Sequence, residues 1–454
     1  MARLLTPEEF GLIGMITIFI AVSQTFIDSG FSQALIRKPD CRNEDYSTMF
    51  FFNLAVGIVF YIILFASAPM IGGFFKEPRL VLILRVLGLA LTIESFGLIE
   101  RTILTKRMNF KLQTKISLIS SGLSGVIAIT LAYLGWGVWS LVAKTITQNL
   151  FNSILLWIWN RWEVKFVFDT DSFKEMAGFG SKLLGSGLIY TLYRNAYYIV
   201  IGKYFSAMEL GYFTRAEQFQ NLPSQNLSTI IERVSYPALS HVGEDAVKLK
   251  AAFKRLIKDT MYISFICMLG LAAVAKPLIV VLIGSKWLPA VPLLQLLCFS
   301  GMFYPLHSLN LNMLKVKGRS DLFLILEIIK TALAVPVILI GIFFGIKAMI
   351  IGMIVDSIIA YYLNSYWSGK LVNYPIWEQM KDIAPSFFLA AFVGGATYLF
   401  GTLFSQSSLL PLVLETTIGA GLAISVSNLF KMDEYFEIKN IIEMNFLGKR
   451  LRTE

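Results

Sequence analysis

The chain has 454 residues, 56% of them hydrophobic and only 15% charged, with a net charge of +10. A water-soluble protein of this length carries more charge, so a soluble enzyme or binding module is excluded. On a soluble chain the basic excess would suit nucleic acid. Here it is gathered in short loops between apolar runs, the pattern of a positive-inside membrane protein, and no nucleic-acid partner is expected.

Thirteen apolar runs follow one another along the chain, at 11–36, 47–73, 80–104, 113–134, 138–159, 177–202, 211–236, 259–284, 290–313, 321–344, 346–368, 383–404 and 408–430. Each is long enough to cross a bilayer core of about 30 Å as a helix. Lipid leaves no partner for an open sheet edge, and the alternating ten-residue segments of a membrane barrel are missing, so the predicted fold class is all-α and polytopic. The loop basic residues fall on two sides. One side holds Arg37, Lys38 and Arg42, then Lys106, Arg107, Lys111 and Lys115, and later groups at 161–174, 248–258, 315–319, 370–381 and 431–452. The other holds Arg3, Lys76, Arg79, Lys203, Lys286 and Lys347. The first side is predicted to be cytoplasmic, which puts the C-terminal tail inside and Met1 outside. No basic segment followed by a cleavage site opens the chain, so no removable signal peptide is expected. Cys41, Cys267 and Cys298 are scattered and His241 and His307 lie far apart, which gives no metal site and no cofactor motif.

The chain repeats itself. RLLTPEEFGL at 3–12 matches KYFSAMELGY at 203–212 in its basic first residue, hydroxyl fourth, glutamate seventh, apolar eighth and glycine ninth. The match continues as Pro69 with Pro277, Leu104 with Leu314 and Gly135 with Gly345. Both copies run the same way through the membrane, as parallel repeats do. The predicted organisation is an N-terminal lobe over 1–160, a C-terminal lobe over 161–370, two additional helices over 371–430 and a tail over 431–454. The second copy has a span, 177–202, ahead of its motif, so a matching helix upstream of Met1 is expected.

The sequence resembles the polysaccharide-exporter branch of the multidrug/oligosaccharidyl-lipid/polysaccharide exporter superfamily. The resemblance rests on ARLLTPEEFGLIGM at the start, IGKYFSAMELGYFTRAEQFQNLP at 201–223, RVSYPALS at 233–240 and IGSKWLPAVPLLQLL at 283–297. It implies fourteen helices in two lobes around a central cavity. It also implies export of undecaprenyl-diphosphate-linked oligosaccharide across the bacterial inner membrane by alternating access, with the lipid-linked oligosaccharide, membrane lipids and polysaccharide polymerase machinery as partners. Two departures stand out: the first family helix is absent, and Tyr197 and Tyr198 lie where family members often carry an aspartate.

Charge and polarity inside spans mark the candidate residues, because lipid tolerates neither. Along 177–202, Lys182, Ser186, Tyr190, Tyr193 and Tyr197 fall within about 80° of one another on a helical wheel, with Arg194 at the flank. These read either as a wall where tyrosines stack on sugars and cations hold diphosphate, or as an interior helix with Tyr193 and Tyr197 in the core. Along 211–236, Thr214, Gln218, Asn221, Gln225, Ser228, Thr229 and Glu232 form a polar stripe with Pro223 as an expected kink. That stripe lines water or forms a seam between helices. Thr17, Gln24, Asp28 and Ser32 are its counterpart on 11–36. Arg215 and Glu217 suit ligand or interface equally. Asp28, Glu94, Glu217 and Glu232 are candidates for proton or sodium coupling; Glu94 could instead pair with Arg101, and Glu232 with Arg233. Cations and tyrosines favour an anionic sugar lipid over the cationic drug of a multidrug or cation antiporter. A membrane polysaccharide polymerase or glycosyltransferase would need a larger catalytic loop.

Overall fold

A computed structural model describes residues 1–160, 162–242, 245–403 and 409–450. Arg161, Arg452 and the predicted span ends at 404 and 408 lie outside the described residues. Among the described residues the regular structure is helical throughout and contains no strand. The chain divides into two compact units, Met1–Gly211 and Tyr212–Glu454.

The first unit contains α1 (Pro7–Asp28), α2 (Phe31–Arg37), α3 (Asn43–Phe75), α4 (Arg79–Leu87), α5 (Leu89–Lys106), α6 (Phe110–Tyr133), α7 (Val138–Asn160) and α8 (Thr170–Tyr204). Thr6 and Glu9 form a capping box that starts α1, with Pro7 in its first turn. The sequence predicts one helix over 11–36, but the chain breaks at Ser29 and Gly30, whose φ values are 47° and 71°. Only glycine takes that conformation freely, and a Cβ on Gly30 would also lie 2.7 Å from the Leu183 Cβ. The predicted span 80–104 likewise divides, into α4 and α5 at Gly88.

The repeat places α8 at the head of the second copy, whereas packing places it in the first unit, along α1. Small residues allow the approach, as they do between membrane helices. A Cβ on Gly180 would lie 2.8 Å from the Ser29 carbonyl oxygen, and one on Gly202 2.9 Å from Met15 Cγ. The two copies of the motif also meet. A Cβ on Gly11 would fall on the Ala207 carbonyl, and one on Gly211 on the Pro7 carbonyl. Gly11 and Gly211 are the ninth residues of their copies and Pro7 and Ala207 the fifth, so the crossing is reciprocal.

Ion pairs tie the α2–α3 loop to the start of α8. Fully buried Asp45 accepts hydrogen bonds from Lys38 Nζ at 3.3 Å, Ser172 Oγ at 2.5 Å and the Arg42 backbone N–H at 2.8 Å. Arg42 reaches Asp169 at 3.0 Å. Glu175 beside Lys38 holds that ammonium above the usual lysine range. Hydrogen bonds from the Ser172 hydroxyl and the Asp171 backbone hold the Asp169 carboxyl below its usual range.

Helix α9 (Ala207–Val242) begins in the first unit and continues through the second. The second unit then contains α10 (Ala246–Ala273), α11 (Ala275–Ile283), α12 (Ala290–Gly301), α13 (Tyr304–Val316), α14 (Ser320–Phe344), α15 (Ile346–Val372), α16 (Ile376–Gly401), α17 (Leu409–Leu429) and α18 (Asp433–Arg450). The predicted spans 259–284 and 290–313 are each divided, as 80–104 is. Helix α10 packs along α16, and α14 along α15. Within the predicted tail, α18 docks on the basic end of α10 through Lys258–Glu434 at 3.1 Å and Arg255–Glu437 at 2.7 Å.

The repeat holds in the packing. Leu104, Ile116 and Leu156 form a small buried cluster with Leu112 against it; at 210 positions from Leu104, Leu112 and Ile116, the residues Leu314, Leu322 and Leu326 form another. The α6–α7 and α14–α15 turns both use the predicted glycine pair in left-handed backbone, Gly135 at φ 83° and Gly345 at φ 95°. Ten stretches of helix are long and apolar enough to cross a membrane, among the described residues. The thirteen predicted spans exceed these by α7, α8 and α9.

Candidate functional site

Two of those polar helices, α8 and α9, carry most of the predicted ligand residues. On α8 the structure brings Arg194 and Tyr190 together, the guanidinium donating to the phenol oxygen at 3.1 Å. Tyr190 is 57% exposed, and Lys182, Ser186 and Arg194 are exposed with it. Tyr193 is half-buried. Tyr197 does not share the open surface: it is only 8% exposed, because the C-terminal end of α8 is packed within the first unit.

A polar seam runs beside α8 in the same unit. Gln24 Nε2 donates to Glu94 Oε2 at 2.8 Å, the Thr25 and Thr191 hydroxyls meet at 3.0 Å, and Thr102 donates to Ser32 at 3.1 Å. Asp28 sits on this seam, and its Oδ1 is buried without a hydrogen-bond partner among the described residues. The alternative pairing of Glu94 with Arg101 is not formed. Arg101 donates to Asn152 Oδ1 at 3.1 Å instead, about two turns along α5 from Glu94.

On α9 the polar side chains fall on two faces. The packed face belongs to other residues: Phe213, Ala216, Gln220, Ser224 and Ser235 are buried. Gln220 donates to Ser224 at 2.8 Å and lies over Gly301, and Asn312 donates to Ser235 at 3.0 Å. That is the interhelical seam. The predicted stripe lies about 100° away around the helix. Gln218, Thr229 and Glu232 are exposed, and Thr214, Asn221, Gln225 and Ser228 are half-buried. Arg215 contacts Gln218, and Glu217 is half-buried. Glu232 accepts from Ser308 at 3.0 Å. Helix α9 runs unbroken through Pro223.

Two polar groups were missed at the sequence level. His307 is enclosed in the second unit with Ser357 at 3.1 Å and Asn364 at 3.4 Å. The other group lies between α5, α6 and α7, where Arg101, Gln113, Gln148, Asn149 and Asn152 line a cavity. Its signal was available: three amides at 148, 149 and 152 inside one span.

A family described as polysaccharide biosynthesis protein matches residues 1–292. The chain is 32% identical to the teichuronic acid biosynthesis protein TuaB of Bacillus subtilis (strain 168), over 66% of this chain and 62% of that protein. It is 28% identical to the succinoglycan biosynthesis transport protein ExoT of Rhizobium meliloti (strain 1021), over 66% and 61%. The chain thus spans about three fifths of the length of these two relatives. It is 27% identical to the lipopolysaccharide biosynthesis protein WzxC of Escherichia coli (strain K12), over 83% and 76%. The fold is that of the lipid II flippase MurJ in its inward closed conformation: TM-score 0.77, 16% identity, 94% of each chain. An inward-facing multidrug resistance transporter of the MATE family follows at TM-score 0.65 and 16% identity, over 82% of this chain and 92% of that one.

Proposed function

Because the chain belongs to the polysaccharide biosynthesis protein family, we propose that it flips undecaprenyl-diphosphate-linked oligosaccharide across the bacterial inner membrane for surface-polysaccharide assembly. One observation carries this reading. Relatives named for three different glycans, teichuronic acid, succinoglycan and lipopolysaccharide, share this chain's sequence, and the fold is that of a lipid II flippase. Cargoes so different in sugar have a lipid-linked diphosphate as their common part. The multidrug-antiporter alternative has support from fold alone.

In this reading the two repeat copies are lobes that alternate access to a shared path, and the tail is cytoplasmic. Arg194 and Lys182 meet the diphosphate, and Tyr190 and Tyr193 stack on sugar. Gln218, Asn221 and Gln225, with Arg215, form the hydrated wall. Moving a diphosphate through a low-dielectric region is costly unless cations compensate it, and a guanidinium offers a planar fork to phosphate oxygens. Asp28, half-buried with a buried Oδ1 that lacks a hydrogen-bond partner among the described residues, is the strongest of the four coupling candidates, ahead of Glu94, Glu217 and Glu232. The product is delivered to polysaccharide polymerase machinery.

Complementation of an exporter-deficient strain tests the assignment. Arg194→Ala abolishes surface polysaccharide while membrane abundance stays near normal, and Arg194→Lys restores part of it. Full activity of Arg194→Ala would remove Arg194 from the path. Failure of the unaltered chain to complement any lipid-linked glycan, together with protection against toxic cations, would replace the flippase by the antiporter.

A further inference from the structure

We propose that the cavity between α5, α6 and α7 holds the phosphate headgroup of an anionic membrane phospholipid, bound as a resident lipid apart from the transport path. The cavity has a volume of about 460 Å³, within the range of small-molecule sites. Its wall is formed by Arg101 from α5, Gln113 from α6, and Gln148, Asn149 and Asn152 from α7. It therefore holds one cation, several amides and no carboxylate. Arg101 makes no ion pair within 4.0 Å among the described residues. A guanidinium carries five N–H groups, and its contact with Asn152 uses one.

The amides are held in place by the protein. Gln113 Nε2 donates to Thr105 at 2.9 Å, Gln148 Nε2 to Ser121 at 3.2 Å and Asn149 Nδ2 to the Ala90 carbonyl at 3.3 Å. The site is thus built before a ligand arrives.

Its position suits a lipid. Leu118 lies on the rim and is 68% exposed, and Ile154 and Ile158 beside it on α7 are also exposed. On membrane-spanning helices such a surface faces acyl chains. Arg101 is five residues from the end of α5, about 7.5 Å along the axis, and Gln113 three residues from the start of α6, about 4.5 Å. These two residues place the mouth at headgroup depth, and the cavity runs inward from there: Asn152, Asn149 and Gln148 lie eight, eleven and twelve residues from the end of α7, about 12 to 18 Å along the axis. The same end carries Lys106, Arg107, Lys111 and Lys115, and Lys115 Nζ sits 4.7 Å from the centre of the Trp159 ring. Basic and tryptophan side chains together mark a bilayer interface facing anionic lipid.

The second copy is the internal control. At the 210-residue offset, Arg101, Gln113, Gln148, Asn149 and Asn152 stand opposite Leu311, Phe323, Ile358, Ile359 and Tyr362. The hairpin packs without those polar groups, so the fold does not require them. A single cation with no carboxylate selects a net-negative phosphodiester over a zwitterionic one, whose ammonium would find no partner.

The test uses the full chain, purified and delipidated in detergent, with binding read by native mass spectrometry. Dioctanoyl phosphatidylglycerol binds; dioctanoyl phosphatidylcholine and sodium phosphate bind at least about tenfold more weakly. Arg101→Gln weakens phosphatidylglycerol binding by about tenfold, the loss of one charge-assisted contact. Gln148→Ile, the second copy's residue, weakens it less and keeps the fold should Arg101→Gln misfold. Equal binding of phosphatidylcholine, or unchanged phosphatidylglycerol binding in both variants, overturns the proposal. Phosphate binding as tight as the lipid's would assign the cavity to a soluble anion and overturn it too. Each outcome is independent of export activity.

Discussion

The α6–α7 and α14–α15 hairpins are built on one plan and carry opposite side chains at matched positions. Each turns at a left-handed glycine and packs three matched apolar residues, Leu104, Leu112 and Ile116 in one and Leu314, Leu322 and Leu326 in the other. The first then opens a polar cavity, and the second puts leucine, phenylalanine, isoleucine and tyrosine at the same positions. Repeats preserve the residues that make the backbone turn and pack. They are free to diverge where a side chain faces a neighbour outside the fold, which is where functional difference accumulates.

The strongest way to test the shared plan is at the crossing of the two motifs. Gly11→Ala and Gly211→Ala each drive a methyl into a backbone carbonyl that cannot rotate away, so each costs about 1–3 kcal/mol or more. The two should lose similar amounts of monodisperse protein after detergent extraction. Gly122→Ala, with nothing within 4 Å of its Cβ, should lose none; a loss there as large as at Gly11 would detach the effect from the crossing. A smaller effect follows from exchanging the matched side chains of the two hairpins. Ile358→Gln and Tyr362→Asn bring amides to exposed positions on α15, where lipid leaves them unpartnered, at a cost of roughly 1–3 kcal/mol each. Gln148→Ile and Asn152→Tyr should leave the melting temperature of the delipidated protein nearly unchanged. If all four lower it equally, the hairpins are not exchangeable.

The turn glycines are expected to be equivalent and milder. Gly135→Ala and Gly345→Ala meet no atoms within 4 Å and bear only the penalty of positive-φ backbone, about 1–3 kcal/mol. Unequal melting shifts would show that one turn carries a further constraint. The smallest effect is in pH. Asp169 is held below its usual range, so its contribution is present above the unfolded value, about 3.9, and fades as pH falls through the lower folded one. Lys38 is held above its range, so its contribution is present below about 10.4 and fades as pH rises through the higher folded one. Asp169→Asn should flatten only the acid limb of a stability profile, and Lys38→Met only the alkaline limb.

Much of this was legible in the sequence for physical reasons. Membrane helices announce themselves by length and hydropathy, and a glycine in a tight crossing or turn has few substitutes, so Gly11, Gly211, Gly135 and Gly345 marked the repeat. Helix breaks were less legible. Ser29 takes a left-handed conformation that its own side chain does not favour; the fit of Gly30 against Gly180 and Leu183 holds it there. The α9 stripe was read as polar, but the wheel could not say which of two adjacent polar faces was packed. Gln220 and Ser224 are as polar as Gln218 and Gln225, and only tertiary contact separates them. Glu94 pointed to Arg101 by helical spacing, yet Gln24 is the group the packing brings within reach.

The motif crossing has the form of an isologous interface, in which position five of one copy meets position nine of the other and the reverse. In a dimer of identical chains, one codon change alters both halves of such a contact together. Here the halves are encoded some 200 residues apart. A side chain at position 11 meets the backbone of 207, and one at 211 the backbone of 7, so no substitution at the partner makes room for it. The two sites are therefore separate genetic addresses for a single shape, and drift at either is checked by a partner that cannot change with it.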